Sequence, residues 1–334
     1  MRRTILFRLL AAILALVSAA ALLEAALRLL PAPAAGREVV VREVPRPAPA
    51  DEPQFRGPEP DLAAEAFRIV AVGDSFTWGD GVWPEDAYPA RIERRLAATE
   101  PRVPVQVINW SRRGWNTAQA WRSIEDDLDR LDPDVLVLGY CINDAEPASA
   151  ERRRELWREL GWWPGDEPAP GWLARNSRLV GRVRTSLLNL RSRRTARAYY
   201  HRIYDDGPSW RLNRRALESF GQLGSRPDGP RFLLVIFPIF DSQLDAGYPY
   251  RDLHRKVAEL AEGEGIATLD LLPAYAGVDA RRLAVLPFTD PHPNELAHRI
   301  AADRIVEELV ARGWAPRGRR AVRLAGGRRF PAED

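Results

Sequence analysis

RIVAVGDSFTWG, Arg68 to Gly79, opens on an apolar run rich in β-branched residues and breaks at once into Gly-Asp-Ser. An apolar run without polar alternation marks a strand buried on both faces, as in a parallel sheet, and Gly-Asp-Ser is turn chemistry. The same pattern recurs along the chain as VQVIN (105–109), DVLVLG (134–139), FLLVIF (232–237) and residues 266–271. Between or after these runs, Tyr88 to Ala98, Thr117 to Leu131, Asp252 to Glu264 and Pro293 to Arg312 have helical spacing. Asn116 stands where a helix cap belongs and Pro293 where a first-turn proline belongs. Strand and helix in this rhythm predict an α/β fold, a three-layer α/β/α sandwich with a parallel sheet whose ligands bind beyond the carboxyl ends of the strands.

Unusual residues stand at those strand ends. The first strand is followed by Ser75 in GDSFTWG, the second by Gly114 in RRGWNT, the third by Asn143 in GYCINDA, and His292 lies in TDPHPNELAH near the last helix. A serine at a strand-to-helix turn can present its hydroxyl where free backbone N–H groups favour negative charge. Alone, each piece is also an ordinary turn or cap. In order, the four blocks resemble those of the SGNH/GDSL hydrolase superfamily over residues 67–312. The resemblance implies a flavodoxin-like sandwich and ester chemistry. Ser75 would be the nucleophile and His292 the general base, with an oxyanion hole from the amides of Ser75 and Gly114 and the side chain of Asn143. It departs at the acid: the family's position three before the histidine is Thr289, and Asp290 stands two before. Asp290 is taken as the orienting acid, with a Ser-His dyad as the fallback. Asp74 is read as structural.

Composition narrows the partners. Lys+Arg number 49 against 46 Asp+Glu, a net charge of +3 with Lys256 the only lysine, which predicts no nucleic-acid partner. A single cysteine, Cys141, excludes an internal disulfide and a multi-cysteine metal site. Neither cofactor nor metal is expected, and His201, His254 and His298 are read as surface or helix residues without metal-ligand spacing.

The N-terminus is an export signal or an anchor. Arg2, Arg3 and Arg8 precede an uncharged run from Leu9 to Leu23, and Ile5 to Leu30 is long enough to span a bilayer, with Glu24 and Arg28 one turn apart. We read residues 1–30 as an uncleaved single-pass anchor in a bacterial cell membrane, with the rest on its periplasmic or extracellular side; secretion after cleavage at a small-residue site is the alternative. Residues 31–66, with eight prolines, read as an extended tether. Residues 313–334 form a basic tail.

Residues 145–230 form an insertion too long for an ordinary connection, and from 151 to 215 it carries sixteen arginines against seven acids. It could cover the site or rest on anionic headgroups, or simply be solvated helices. Trp78 and Trp115, near Ser75 and Gly114, are candidate substrate-binding aromatics. The sequence thus predicts a membrane-tethered carboxylic ester hydrolase acting through an acyl-serine on O-acyl groups, such as O-acetyl on a carbohydrate. The alternatives are an O-acyltransferase to a glycan hydroxyl and a non-catalytic glycan-binding or assembly protein of the same fold.

Overall fold

The computed structural model describes residues 2–30, 55–205, 207–287 and 290–316. The stretch 31–54, Thr289 and the tail from 317 onward lie outside the described residues. The chain divides into two compact units, Met1–Glu43 with Arg154–Tyr199, and Val44–Arg153 with Tyr200–Asp334. Its first elements are α1 (Arg2–Leu29), β1 (Phe67–Gly73), α2 (Ser75–Trp78), α3 (Tyr88–Thr99), β2 (Val105–Ser111), α4 (Thr117–Glu125), α5 (Leu128–Leu131) and β3 (Val135–Cys141). Next come α6 (Ala150–Glu159), α7 (Trp172–Asn176), α8 (Arg178–Tyr204), α9 (Pro208–Gly224) and β4 (Arg231–Phe237). The C-terminal part holds α10 (Arg251–Gly263), β5 (Ala267–Asp270), β6 (Ala284–Leu286), β7 (Asp290–Pro293) and α11 (Glu295–Ala311).

In the larger unit β1 to β5 form a parallel sheet in the order β2-β1-β3-β4-β5, the flavodoxin-like order of a three-layer sandwich. Every residue of β3 is buried, as are all but the first of β1 and β4, which is why these strands read as continuous apolar runs. The chain moves outward from β1 to β2 and then reverses across β1 to β3. Right-handed crossovers therefore put α3 on one face and α4, α9 and α10 on the other. The packing agrees: α11 lies on α3, while α9 touches α4, α10 and β4. Although it falls within the expected insertion, α9 is a layer helix of the sandwich, burying Trp210, Leu217 and Phe220.

Three local expectations change. The helix predicted over 117–131 breaks into α4 and α5, with Asp126 and Asp127, weak helix formers, at the break. Pro293 ends β7 instead of opening a helix; Asn294 is the cap, accepting from the N–H groups of Leu296 and Ala297. Residues 55–66, expected in the tether, are bonded into the larger unit. Arg56 bridges to Asn109, and the buried Arg68 guanidinium donates to the carbonyls of Leu62 and Ala64 as well as Leu131.

The crowding at the carboxyl ends of β1 and β3 is testable. Gly73 pairs with Gly139, and a Cβ on Gly139 would lie 2.3 Å from Thr77 Oγ1 and 2.7 Å from Tyr88 Oη. Gly139→Ala should cost about 1–3 kcal/mol of unfolding free energy through overpacking, read as a lower urea midpoint at unchanged m-value.

Candidate active site

Ser75 follows β1 through Asp74, whose carboxylate accepts the Phe76 N–H at 2.8 Å and so caps α2. As the first residue of α2, Ser75 has an N–H with no partner inside the helix. Its Oγ donates to His292 Nε2 at 2.9 Å. On the other side of the ring, Nδ1 lies 2.5 Å from Asp290 Oδ1, and the same oxygen accepts the His292 backbone N–H at 3.1 Å. β7 holds both residues, paired antiparallel with β6. Asp290, two residues before His292, thus reaches the imidazole by folding back over its own backbone.

The ring is tuned by its neighbours. Burial opposes charge on His292, but the bond and charge of Asp290, helped by Asp80 and Asp74, hold it above the ordinary histidine value of 6.5. Burial also opposes charge on Asp290, yet the contact with His292 keeps its carboxyl below the usual range. Asp74 is fully enclosed and burial pushes it up, against the pull of the Phe76 N–H, the Asn143 amide and the charge of His292. Asp144, accepting from the Cys141 N–H, is pushed well up by burial and by the nearby Asp74 carboxylate. Burial likewise pushes the Cys141 thiol up, so it is no thiolate.

Asn143 follows β3 and donates one N–H of its amide to Asp74 Oδ2 at 3.0 Å, leaving the second for another acceptor. Gly114 stands on the loop after β2 with φ +75° and open space where a Cβ would be; that loop is tied to β1 by the Arg112 N–H on the Gly73 carbonyl at 3.2 Å. Trp115 is half-buried beside it. The Trp78 ring lies against the guanidiniums of Arg56 and Arg113, 5.3 and 5.9 Å from its centroid.

Sequence reading missed Arg56 altogether. Its guanidinium donates to the carbonyls of Trp78, Gly79 and Val82 and so gathers the turn that follows α2. Burial and the charge of Arg113 lower it to about 10, still charged at neutral pH. Nothing in a proline-rich stretch marks such an arginine. Asn109 was missed as well: its amide donates to the Thr77 carbonyl at 2.9 Å and its oxygen accepts the Ser111 hydroxyl at 2.5 Å. His254 and His298, read as surface or helix residues, are helix residues, on α10 and α11, and are buried, each imidazole with a polar partner, Asp270 Oδ1 at 3.0 Å and the Tyr88 N–H at 3.2 Å. Burial lowers His298 to about 3, so it is neutral.

Residues 71–300 match the GDSL-like lipase/acylhydrolase family, well over half of the chain. The chain belongs to that family. GDSL-like acylhydrolases are carboxylic ester hydrolases, and the match spans every strand-end block described above. No curated protein matches the sequence. Among solved structures, a two-domain esterase active on acetylated mannans shares 16% identity at TM-score 0.44, covering 77% of this chain and 52% of its own. This chain thus spans about half the length of that esterase. A catalytic mutant of an acetylxylan esterase from Geobacillus stearothermophilus shares 18% at TM-score 0.45, over 72% and 93% of the two chains. An α/β-hydrolase from the metagenome of Lake Arreo, Spain, shares 18% at TM-score 0.42, over 75% and 96%. At TM-scores below 0.5 these likenesses say nothing about substrate.

The electrostatics predict a pH profile for this acylhydrolase. A histidine must be neutral to accept a proton, so kcat/KM for a soluble ester should fall as pH drops through a value above 6.5. In Asp290→Asn the raising influence is gone, and the acid limb should move to lower pH while the plateau drops; an unmoved limb would show that Asp290 does not set the ring's charge.

Proposed function

We propose that this acylhydrolase is a serine esterase that removes O-acyl groups, O-acetyl among them, from carbohydrate on the outer side of a bacterial cell membrane, held there by α1. The observation that carries the reading is the unbroken line Asp290–His292–Ser75, with contacts of 2.5 and 2.9 Å. Ser75 Oγ attacks the ester carbonyl as His292 Nε2 takes its proton. Asp290 holds Nδ1–H, which fixes the tautomer and balances the imidazolium that forms. Negative charge gathers on the former carbonyl oxygen, where the N–H groups of Ser75 and Gly114 and the second amide N–H of Asn143 would receive it. Collapse expels the alcohol, protonated by His292, and leaves an acyl-serine. Water then attacks with His292 again as base, releasing the acid and Ser75.

For a carbohydrate substrate the support is the polar and aromatic character of the Gly114 loop, where Gly114 is exposed and Arg112, Arg113, Trp115 and Asn116 are half-buried. Trp115 suits stacking on a sugar; the Trp78 ring, engaged by two guanidiniums, serves the loop. For the location the support is α1, in which Thr4–Leu29 is long and apolar enough to cross a membrane. Arginines at positions 2, 3 and 8 suit the cytoplasmic end.

The test uses the full chain in detergent. A fluorophosphonate should label wild type and leave Ser75→Ala unlabelled, and kcat should fall about 10⁴-fold or more in Ser75→Ala and His292→Ala. Among esters, acetylated oligosaccharides should exceed long-chain acyl esters in kcat/KM, with free acetate as product even when an unacetylated glycan is present. Labelling that survives Ser75→Ala removes the mechanism; acetyl recovered on the added glycan would instead make the protein a transferase.

A further inference from the structure

We infer that the helical segment Trp172–Leu190 lies in the headgroup layer of the membrane that α1 spans, with anionic lipid as its partner. The inference rests on the reading of α1 as a retained span. Within the smaller unit, the end of α1 and the start of α8 are joined by a polar lock. Glu24 accepts from the N–H groups of Arg178 and Leu179, at 3.1 and 2.8 Å, and from the Ser177 hydroxyl at 2.9 Å. In return Arg178 donates to the carbonyls of Leu27 and Leu30, and Arg28 bonds both Glu24 and the Asn176 carbonyl. α8 therefore begins at the level where the apolar span ends.

From that point the segment has two properties of an interfacial helix. Trp172, Leu173, Val180, Val183, Leu187 and Leu190 are exposed, Trp172 and Leu187 by 68% and 62%. On α8 the four at 180, 183, 187 and 190 follow a 3-4-3 spacing, which at 3.6 residues per turn makes one stripe. Thr195 and Tyr199, the buried residues of α8 within the smaller unit, fall on another side. The second property is charge: residues 171–199 contain eight arginines and no acid. An apolar stripe on a segment whose own charged residues are all arginines suits acyl-chain boundary and anionic headgroups together, although Arg191 also pairs with Glu167. The stripe ends after Leu190, where Arg191 and Arg194 follow.

The experiment places an environment-sensitive fluorophore on full-length Leu187→Cys or, separately, Leu190→Cys, with Thr185→Cys on another side of the helix as reference. Cys141 is buried, which leaves the introduced thiol as the reactive one. Proteins are inserted in nanodiscs of phosphatidylcholine with or without phosphatidylglycerol, and each disc is made with and without lipids brominated near the carbonyl. Ester turnover checks the fold, and co-elution of intact chain with the disc reports on α1 by itself. The expected result is a blue-shifted emission at 187 and 190, quenched by brominated lipid, stronger with phosphatidylglycerol and weak at 185. Emission at 187 and 190 matching 185 in both lipids would overturn the inference while leaving the anchor intact. So would a blue shift without bromine quenching in discs holding two chains, since the stripe would then pair two copies. Chains that fail to co-elute with discs overturn the anchor reading, and the inference with it.

Discussion

The close approach of Gly73 and Gly139, paired across β1 and β3, is the constraint on which the site depends. A Cβ on either residue would fall within 2.3 Å of Thr77 Oγ1. The Thr77 side chain fills the room that two side chains would have taken, and Tyr88 Oη meets it at 3.1 Å. Because Thr77 can sink that far, α2 seats directly on the strand ends and its first residue, Ser75, comes to the sheet's carboxyl edge. This is also where strand order reverses, the place in an open α/β sheet where two loops part and leave a crevice. The fold thus supplies the crevice, and two missing side chains let the helix that begins at Ser75 enter it.

Around that helix the chain fastens backbone with side chains instead of more secondary structure. Asn109 holds the Thr77 carbonyl, and Arg56 holds three carbonyls just beyond. Two of these acceptors, the Thr77 and Trp78 carbonyls, belong to the end of a four-residue helix, whose last carbonyls have no intrahelical partner and would be costly to leave unpaired in a half-buried turn. Arg56 suits the task because a planar guanidinium presents several fixed donors at once. Asp74 does the equivalent at the other end, and its second oxygen reaches Asn143 on the neighbouring strand end. One carboxylate therefore fixes both the serine's helix and the amide opposite it.

The sheet was legible because burial on both faces leaves runs such as RIVAV and DVLVLG with no polar interruption. Ser75, Gly114, Asn143 and His292 were legible as blocks, since each sits within a few residues of a strand end or helix start. What could not be read depends on partners far apart in the chain. Arg56 acts on residues 22 to 26 positions away, His298 on Tyr88 at 210, and Glu24 on Ser177 at 153. No periodicity reports a hydrogen bond of that kind. The break between α4 and α5 belongs to another class: apolar spacing carries through it, and only the two aspartates hint at the interruption.

Asp290 shows how a displaced acid can meet the same demand. From two residues before His292, Oδ1 receives both the ring Nδ1 and the backbone N–H of that residue, so the turn that brings the carboxylate round is held by the same oxygen that contacts the ring. An acid three residues away would need the connecting backbone to set its position. Here the carboxylate is anchored to the backbone of the residue whose ring it contacts. The cost is exposure: about a third of the Asp290 side chain faces solvent, which weakens its field at the ring. The enclosed Asp74 carboxylate and Asp80 add their fields, and together the three keep the ring's proton affinity above the ordinary value despite its burial. On the mechanism proposed here, proton affinity is what the base needs, and a local acid supplemented by a buried one provides it without a carboxylate in the family's usual place.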